Sequence, residues 1–139
     1  MSLLADVYLS SGDEDAVHYD KKPASFADRL QLTSLTNLHL STLWAIMRNS
    51  EWDVDLLDHF PCILQMDGGK RTIHRLPSAM LSDLGGLASK DLSSIVSKWA
   101  ATDEMACEPN DASPVLDGLI RMARRASETG KSVYLWNCL

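Results

Sequence analysis

Cys62-Ile63-Leu64-Gln65-Met66-Asp67-Gly68-Gly69-Lys70-Arg71-Thr72-Ile73-His74-Arg75-Leu76 decides how this chain is read. An apolar run enters a Gly-Gly pair and a second run leaves it, the pattern of a β-hairpin set in otherwise helical sequence. The turn fixes the register. With Gly68-Gly69 as a two-residue turn, Leu64 opposes Ile73, Met66 opposes Arg71, Cys62 opposes Arg75 and Ile63 opposes His74. With Asp67-Gly68 instead, Leu64 faces Arg71, because a one-residue slip changes which side chains meet. The first register is preferred, since Leu64 and Ile73 then form a cross-strand apolar pair worth ~0.2–1 kcal/mol. The same stretch gathers Lys70, Arg71, His74 and Arg75 in a chain whose formal net charge is -6, a local inversion of charge that marks a candidate binding surface.

Outward from the hairpin, two further strands lie near the ends of the chain. Leu3 to Leu9 is apolar except for Asp6 and runs into Ser10-Ser11-Gly12, a strand followed by a turn. Val133 to Leu139 carries large apolar groups on both faces, as a strand covered on both sides does. Helices and strands are interspersed without regular alternation. The expected fold is therefore α+β: a small mixed or antiparallel sheet of N-terminal strand, central hairpin and C-terminal strand, packed by four to six helices. At 139 residues the chain is read as one domain, 1-139, because halves of ~70 residues would each be marginal at burying a core.

Between the strands the helical signals differ in clarity. Asp13-Glu14-Asp15 opens a polar excursion to Pro23 that reads as a solvated loop, and Ser25 with Asp28 resembles a capping box starting a short helix through Leu32. Leu40, Leu43, Trp44 and Met47 form one stripe on a helix from Thr36 to Arg48, with His39 off the stripe and in solvent. Ser50 and Asp53 precede a short helix bearing Leu56 and Leu57 that Pro61 ends. Pro77 and Gly85-Gly86 bracket another, with Met80, Leu81 and Leu84. Ser89 is placed as the cap of a helix with Leu92, Ile95, Val96 and Trp99 inward, expected to end before Asp103 and Glu104, whose charges would oppose its dipole. The last helix is expected to have Ser113 as cap, Pro114 first and Gly130 as stop. Trp44 and Trp99 are expected in the core and Trp52 partly exposed.

Composition excludes several function classes. Hydrophobic residues at 45% and charged residues at 23% match ordinary globular proteins, so neither disorder nor a fibrous architecture is indicated. No apolar run approaches the ~20 residues that span a bilayer, so a cytoplasmic protein without membrane contact is expected. The acidic balance disfavours nucleic acid and fits cationic partners better. Cys62, Cys107 and Cys138 lack C-x-x-C spacing and read as buried, reduced thiols. Asp67-Gly68-Gly69-Lys70-Arg71-Thr72 fails as a P-loop, since Arg71 stands where Ser or Thr must follow the Lys. His59 and Cys62 lack the third and fourth ligands that zinc needs, so no metal and no cofactor are expected. Asp53, Asp55 and Asp58 read as a solvated acidic face. Arg121, Arg124 and Arg125 could hold an anion, but Asp117 and Glu128 at helical pairing distances explain the cluster structurally.

These features point to a non-enzymatic binding or accessory module. Arg71, His74 and Arg75 of the hairpin, with Trp52, would contact an acidic protein or a small anionic ligand, and self-association is compatible with the sequence. The competing expectation is a small enzyme in which His74 is the general acid or base, oriented by Asp103 or Glu104 at ~2.6–3.2 Å. If the two arginines are instead paired inside the protein, the hairpin is structural and Trp52 is the next candidate.

Overall fold

The C-terminal strand is apolar on both faces because it is the middle of the sheet. The computed structural model describes residues 3–139. Its strands β1 (Leu4–Ser10), β2 (Arg29–Thr33), β3 (Cys62–Met66), β4 (Arg71–Arg75) and β5 (Ser132–Cys138) form one antiparallel sheet in the order β2-β1-β5-β4-β3. Both ends of the chain and the hairpin thus join one α+β sheet, as the sequence implies. The helices are α1 (Asp13–Ala16), α2 (Asn37–Met47), α3 (Ser78–Gly85), α4 (Ser89–Ala100) and α5 (Pro109–Thr129).

Period-two alternation sorts the strands between two cores. Ala5, Val7 and Leu9 of β1 and Val133 and Leu135 of β5 face α2 to α5, where Leu40, Leu43, Trp44, Met80, Trp99, Leu116 and Leu119 fill the larger core. Tyr8, Ile73 and Tyr134 point the other way. They are sealed by residues 12–28, whose Ala16, Tyr19 and Phe26 complete a second, aromatic core. Tyr8 stacks on Tyr19 with centroids 4.0 Å apart, and Phe26 meets Tyr8 edge-on at 5.2 Å. The segment read as a solvated loop is therefore a strap over the second face of the sheet. Its acidic residues concealed the two aromatic anchors that hold it down.

Several local expectations are corrected. Residues 25–32 do not form a helix: a single 3-10 turn, Pro23–Ser25, leads into β2, where Leu30 and Leu32 alternate with Arg29, Gln31 and Thr33. This alternation is a strand signal that outweighs the capping-box resemblance. Helix α5 begins at Pro109, with Glu108 as N-cap, and places Pro114 inside its first two turns. Starting five residues earlier buries Ala112 completely, and Pro109 supplies the pre-set first residue assigned to Pro114. Ser89 is the first helical residue, with Ala88 as N-cap. His39 is no solvated side chain: its Nδ1 accepts the Thr36 backbone N–H at 3.0 Å and completes a capping box for α2. Helix α4 ends at Ala100, short of Asp103 and Glu104, and Gly130 closes α5 in the left-handed conformation, both as expected. Trp44 and Trp99 are buried and Trp52 is half exposed, also as expected.

Candidate functional site

The hairpin forms around the expected turn. Gly68 (φ 66°, ψ 27°) and Gly69 (φ 93°) are both left-handed, and Lys70 N–H donates to the Asp67 carbonyl at 3.3 Å. Only residues without a Cβ take up this pair of conformations cheaply, and the twist suits a hairpin. Leu64 opposes Ile73 and Met66 opposes Arg71, as the preferred register requires. Beyond Leu64 a bulge shifts the pairing, so that Cys62, not Ile63, opposes His74. The inferred divergence of Cys62 and His74 is thereby overturned. Cys62 is exposed rather than buried, its thiol donating to the Leu64 carbonyl at 3.3 Å, and all three cysteines are free. Among the described residues no group of three or more His, Cys, Asp and Glu side chains could hold a metal ion.

Arg71 and Arg75 lie on the strap side of β4, and the strap claims both heads. Arg71 donates through Nη1 to Asp20 at 2.6 Å and through Nη2 and Nε to Asp67 at 2.8 and 2.9 Å. Asp20 also accepts the Trp136 indole N–H at 3.0 Å, and its side chain is only 3% exposed. Arg75 pairs with Asp13 at 2.5 Å, and Asp13 accepts the Tyr134 hydroxyl at 2.7 Å. The Tyr134 hydrogen bond, followed by Arg75, holds the Asp13 carboxyl below the usual aspartate range. The charges of Arg71 and Arg75 are thus neutralised within the fold, by Asp20 and Asp13 of the strap and Asp67 of the turn, while Lys70 makes no ion pair among the described residues.

His74 points to the opposite, helical side of β4, opposite Leu135. Its Nδ1 is buried and makes no hydrogen bond, and the Glu104 carbonyl oxygen lies 3.0 Å from His39 Nε2. Among the described residues no hydrogen bond joins His74 to Asp103 or Glu104. Burial alone pushes the His74 pKa down. In the unfolded chain the imidazole takes up its proton near pH ~6.5. Below that pH the unfolded state binds more protons than the folded one. This contribution to stability is therefore whole above pH ~6.5, falls as the pH drops towards the folded pKa, and is constant below it. The urea midpoint of the wild type is expected to fall between pH 7.5 and pH 5 more steeply than that of a His74→Gln variant; equal slopes would contradict a buried neutral imidazole.

Trp52 is positioned by a chain of local bonds. Asn49, left-handed at φ 53°, ends α2, and Ser50 N–H closes back on the Ala45 carbonyl at 2.9 Å, a Schellman arrangement. The Trp52 indole N–H then donates to Ser41 Oγ of α2 at 2.9 Å, fastening the loop to the helix. Asp53 accepts the Asp55 backbone N–H at 2.9 Å and starts a 3-10 turn, Val54–His59, which buried Phe60 terminates. The outcome is a braced loop with Trp52 41% and Val54 61% exposed. Glu51, Asp53, Asp55 and Asp58 lie in the same stretch, none is ion-paired among the described residues, and no Lys or Arg occurs from Asn49 to Gly69.

A hollow of about 1310 Å³ beside the start of β1 is lined in part by Asp6, Tyr19, Asp20, Glu104, Asp111 and Trp136. Two of its carboxylates have partners, since Asp6 accepts the Tyr19 hydroxyl at 2.7 Å and Asp20 is held by Arg71 and Trp136, whereas Glu104 and Asp111 make no ion pair among the described residues. No described helix is long and apolar enough to cross a membrane. Comparison of the chain with models of known protein families, with curated proteins and with solved structures finds no match to any of them.

Proposed function

We propose that this protein is a non-enzymatic binding module that presents the Trp52 loop to a cationic surface of a partner protein. One observation carries the reading: the exposed Trp52 and Val54 stand two residues apart on a braced segment whose four carboxylates, Glu51, Asp53, Asp55 and Asp58, make no ion pair among the described residues. Tryptophan is the side chain most enriched among residues that dominate binding energy, and a loop already fixed by hydrogen bonds loses little freedom on docking. The surrounding carboxylates would steer a basic partner and oppose an acidic one. The hairpin has a lesser part in this surface, because the heads of Arg71 and Arg75 are committed to Asp20, Asp67 and Asp13.

A photo-crosslinking residue at Asp55 would identify the protein that docks there in cells, and the purified pair would supply the affinity. A Trp52→Ala, Val54→Ser variant is expected to bind at least tenfold more weakly, and Asp55→Lys, Asp58→Lys to bind more weakly still at low salt. The Asp55→Lys, Asp58→Lys variant should keep its melting temperature within a few degrees, since exposed positions contribute within about 0.5–1 kcal/mol, whereas Trp52→Ala also gives up the bond to Ser41 and should melt somewhat lower. Unchanged affinity in both variants, or no crosslinked partner, would refute the reading.

A further inference from the structure

A second surface concerns anions and lies apart from the Trp52 loop. Arg121, Arg124 and Arg125 share one face of α5 at i, i+3 and i+4 spacing. Intrahelical pairing with Asp117 and Glu128 would account for them if the pairs formed, but the geometry is otherwise. Among the described residues Arg121 has no carboxylate within 4.0 Å, and Arg124 donates only to the Gly85 carbonyl, at 3.3 Å. Arg125 alone is ion-paired, to Asp28 at 3.5 Å and Glu128 at 4.0 Å. The guanidinium groups of Arg121 and Arg124 are thus left without an ion pair among the described residues.

Both guanidinium-bearing side chains line a hollow of about 390 Å³ between α4 and α5, within the ~300–1,000 Å³ typical of small-molecule sites. Leu87, Leu92 and Ile120 give it an apolar wall and Ser89 a hydroxyl. We propose that this hollow binds a small organic phosphomonoester. Its dianionic head would lie between Arg121 and Arg124, two positive charges against two negative, with fork-shaped donors matching the phosphate oxygens. Its hydrocarbon or aromatic body rests on Leu87, Leu92 and Ile120. Arg125, Asp117 and Glu128 line the same hollow, so its lining carries three positive and two negative charges, and the two carboxylates disfavour a bulky polyanion such as nucleic acid, whose many phosphates would also meet them.

The test is a titration of ¹⁵N-labelled protein with phenyl phosphate, and separately with inorganic phosphate, at constant ionic strength. Phenyl phosphate is expected to shift the amides of residues 87–92 and 120–125 saturably, with a dissociation constant below about 1 mM. Inorganic phosphate should bind at least tenfold more weakly, because it lacks the apolar body. An Arg121→Gln, Arg124→Gln variant should lose at least tenfold in affinity. Arg121→Gln alone, which removes no contact of the fold, should lose at least fivefold and serves if the double variant does not fold. Shifts that do not saturate, equal affinity for the two phosphates, or unchanged affinity in the Arg121 variant would each overturn the assignment.

Discussion

A chain lacking Trp136 to Leu139 is expected not to fold. These residues belong to or adjoin β5, which pairs with β1 from Leu4↔Cys138 to Ser10↔Ser132 and with β4 from Arg71↔Cys138 to Arg75↔Tyr134. Neighbouring strands lie ~4.8 Å apart, so losing Trp136 to Cys138, three of the seven residues of the central strand, leaves the facing parts of β1 and β4 about twice that distance apart and unpaired. Four further hydrogen bonds go with them. Asn137 Nδ2 donates to the carbonyls of Leu35 at 2.8 Å and Leu4 at 3.3 Å, Trp136 bonds Asp20, and Leu139 N–H donates to the Lys70 carbonyl at 2.9 Å. The combined loss is comparable with the entire stability of a domain of this size, ~5–15 kcal/mol. Circular dichroism of the truncated chain should show no cooperative thermal transition, or the protein should be insoluble. Because Leu139 is 62% exposed, removing it alone should be nearly silent. A truncated chain that melts like the intact one would contradict the sheet order.

Asp20→Ala is expected to be the most damaging substitution of a strap carboxylate, lowering stability by about 3 kcal/mol. The carboxylate is 3% exposed, accepts from Arg71 and Trp136, and joins the strap to β4 and β5 together. Its loss leaves two donors without their acceptor, one of them charged, in a partly buried site. For a chain of 139 residues this corresponds to a fall in melting temperature of roughly 10 °C. Asp13→Ala should cost less, because Asp13 and Arg75 are each about two-fifths exposed and water screens their attraction. Thermal unfolding of the two variants side by side gives the order; an Asp20 variant no weaker than the Asp13 variant would show that the strap is held by its aromatic residues alone.

What the sequence revealed follows the range of the interactions involved. The hairpin turn, the termini in one sheet, the stripe of α2 and the stop at Gly130 depend on neighbours a few residues apart, and all are legible from spacing. The pairing of Arg71 with Asp20 and of Arg75 with Asp13 spans 51 and 62 residues, and no local pattern connects them. Acidic residues 13–20 therefore read as solvated, and the arginines as free. Tyr19 and Phe26 were the available signal, two large aromatics in an otherwise polar stretch that had to be buried somewhere. The bulge between Cys62 and Leu64 lay beyond the resolution of pairing by pattern, since an extra residue alters register without altering composition. Trp52 was legible as exposed because Glu51 and Asp53 flank it. Its bond to Ser41, which makes the loop rigid, was not.

The hairpin arginines hold the fold together while the Trp52 loop remains free. Urea unfolding of an Arg71→Ala, Arg75→Ala variant, run beside Val54→Ser, Asp55→Lys, measures this directly. The arginine variant is expected to unfold at a midpoint ~1 M or more below the wild type, and the loop variant within a few tenths of a molar of it. An arginine variant with an unchanged midpoint would mean that Asp13 and Asp20 do not hold those side chains, and would return the hairpin to the working surface.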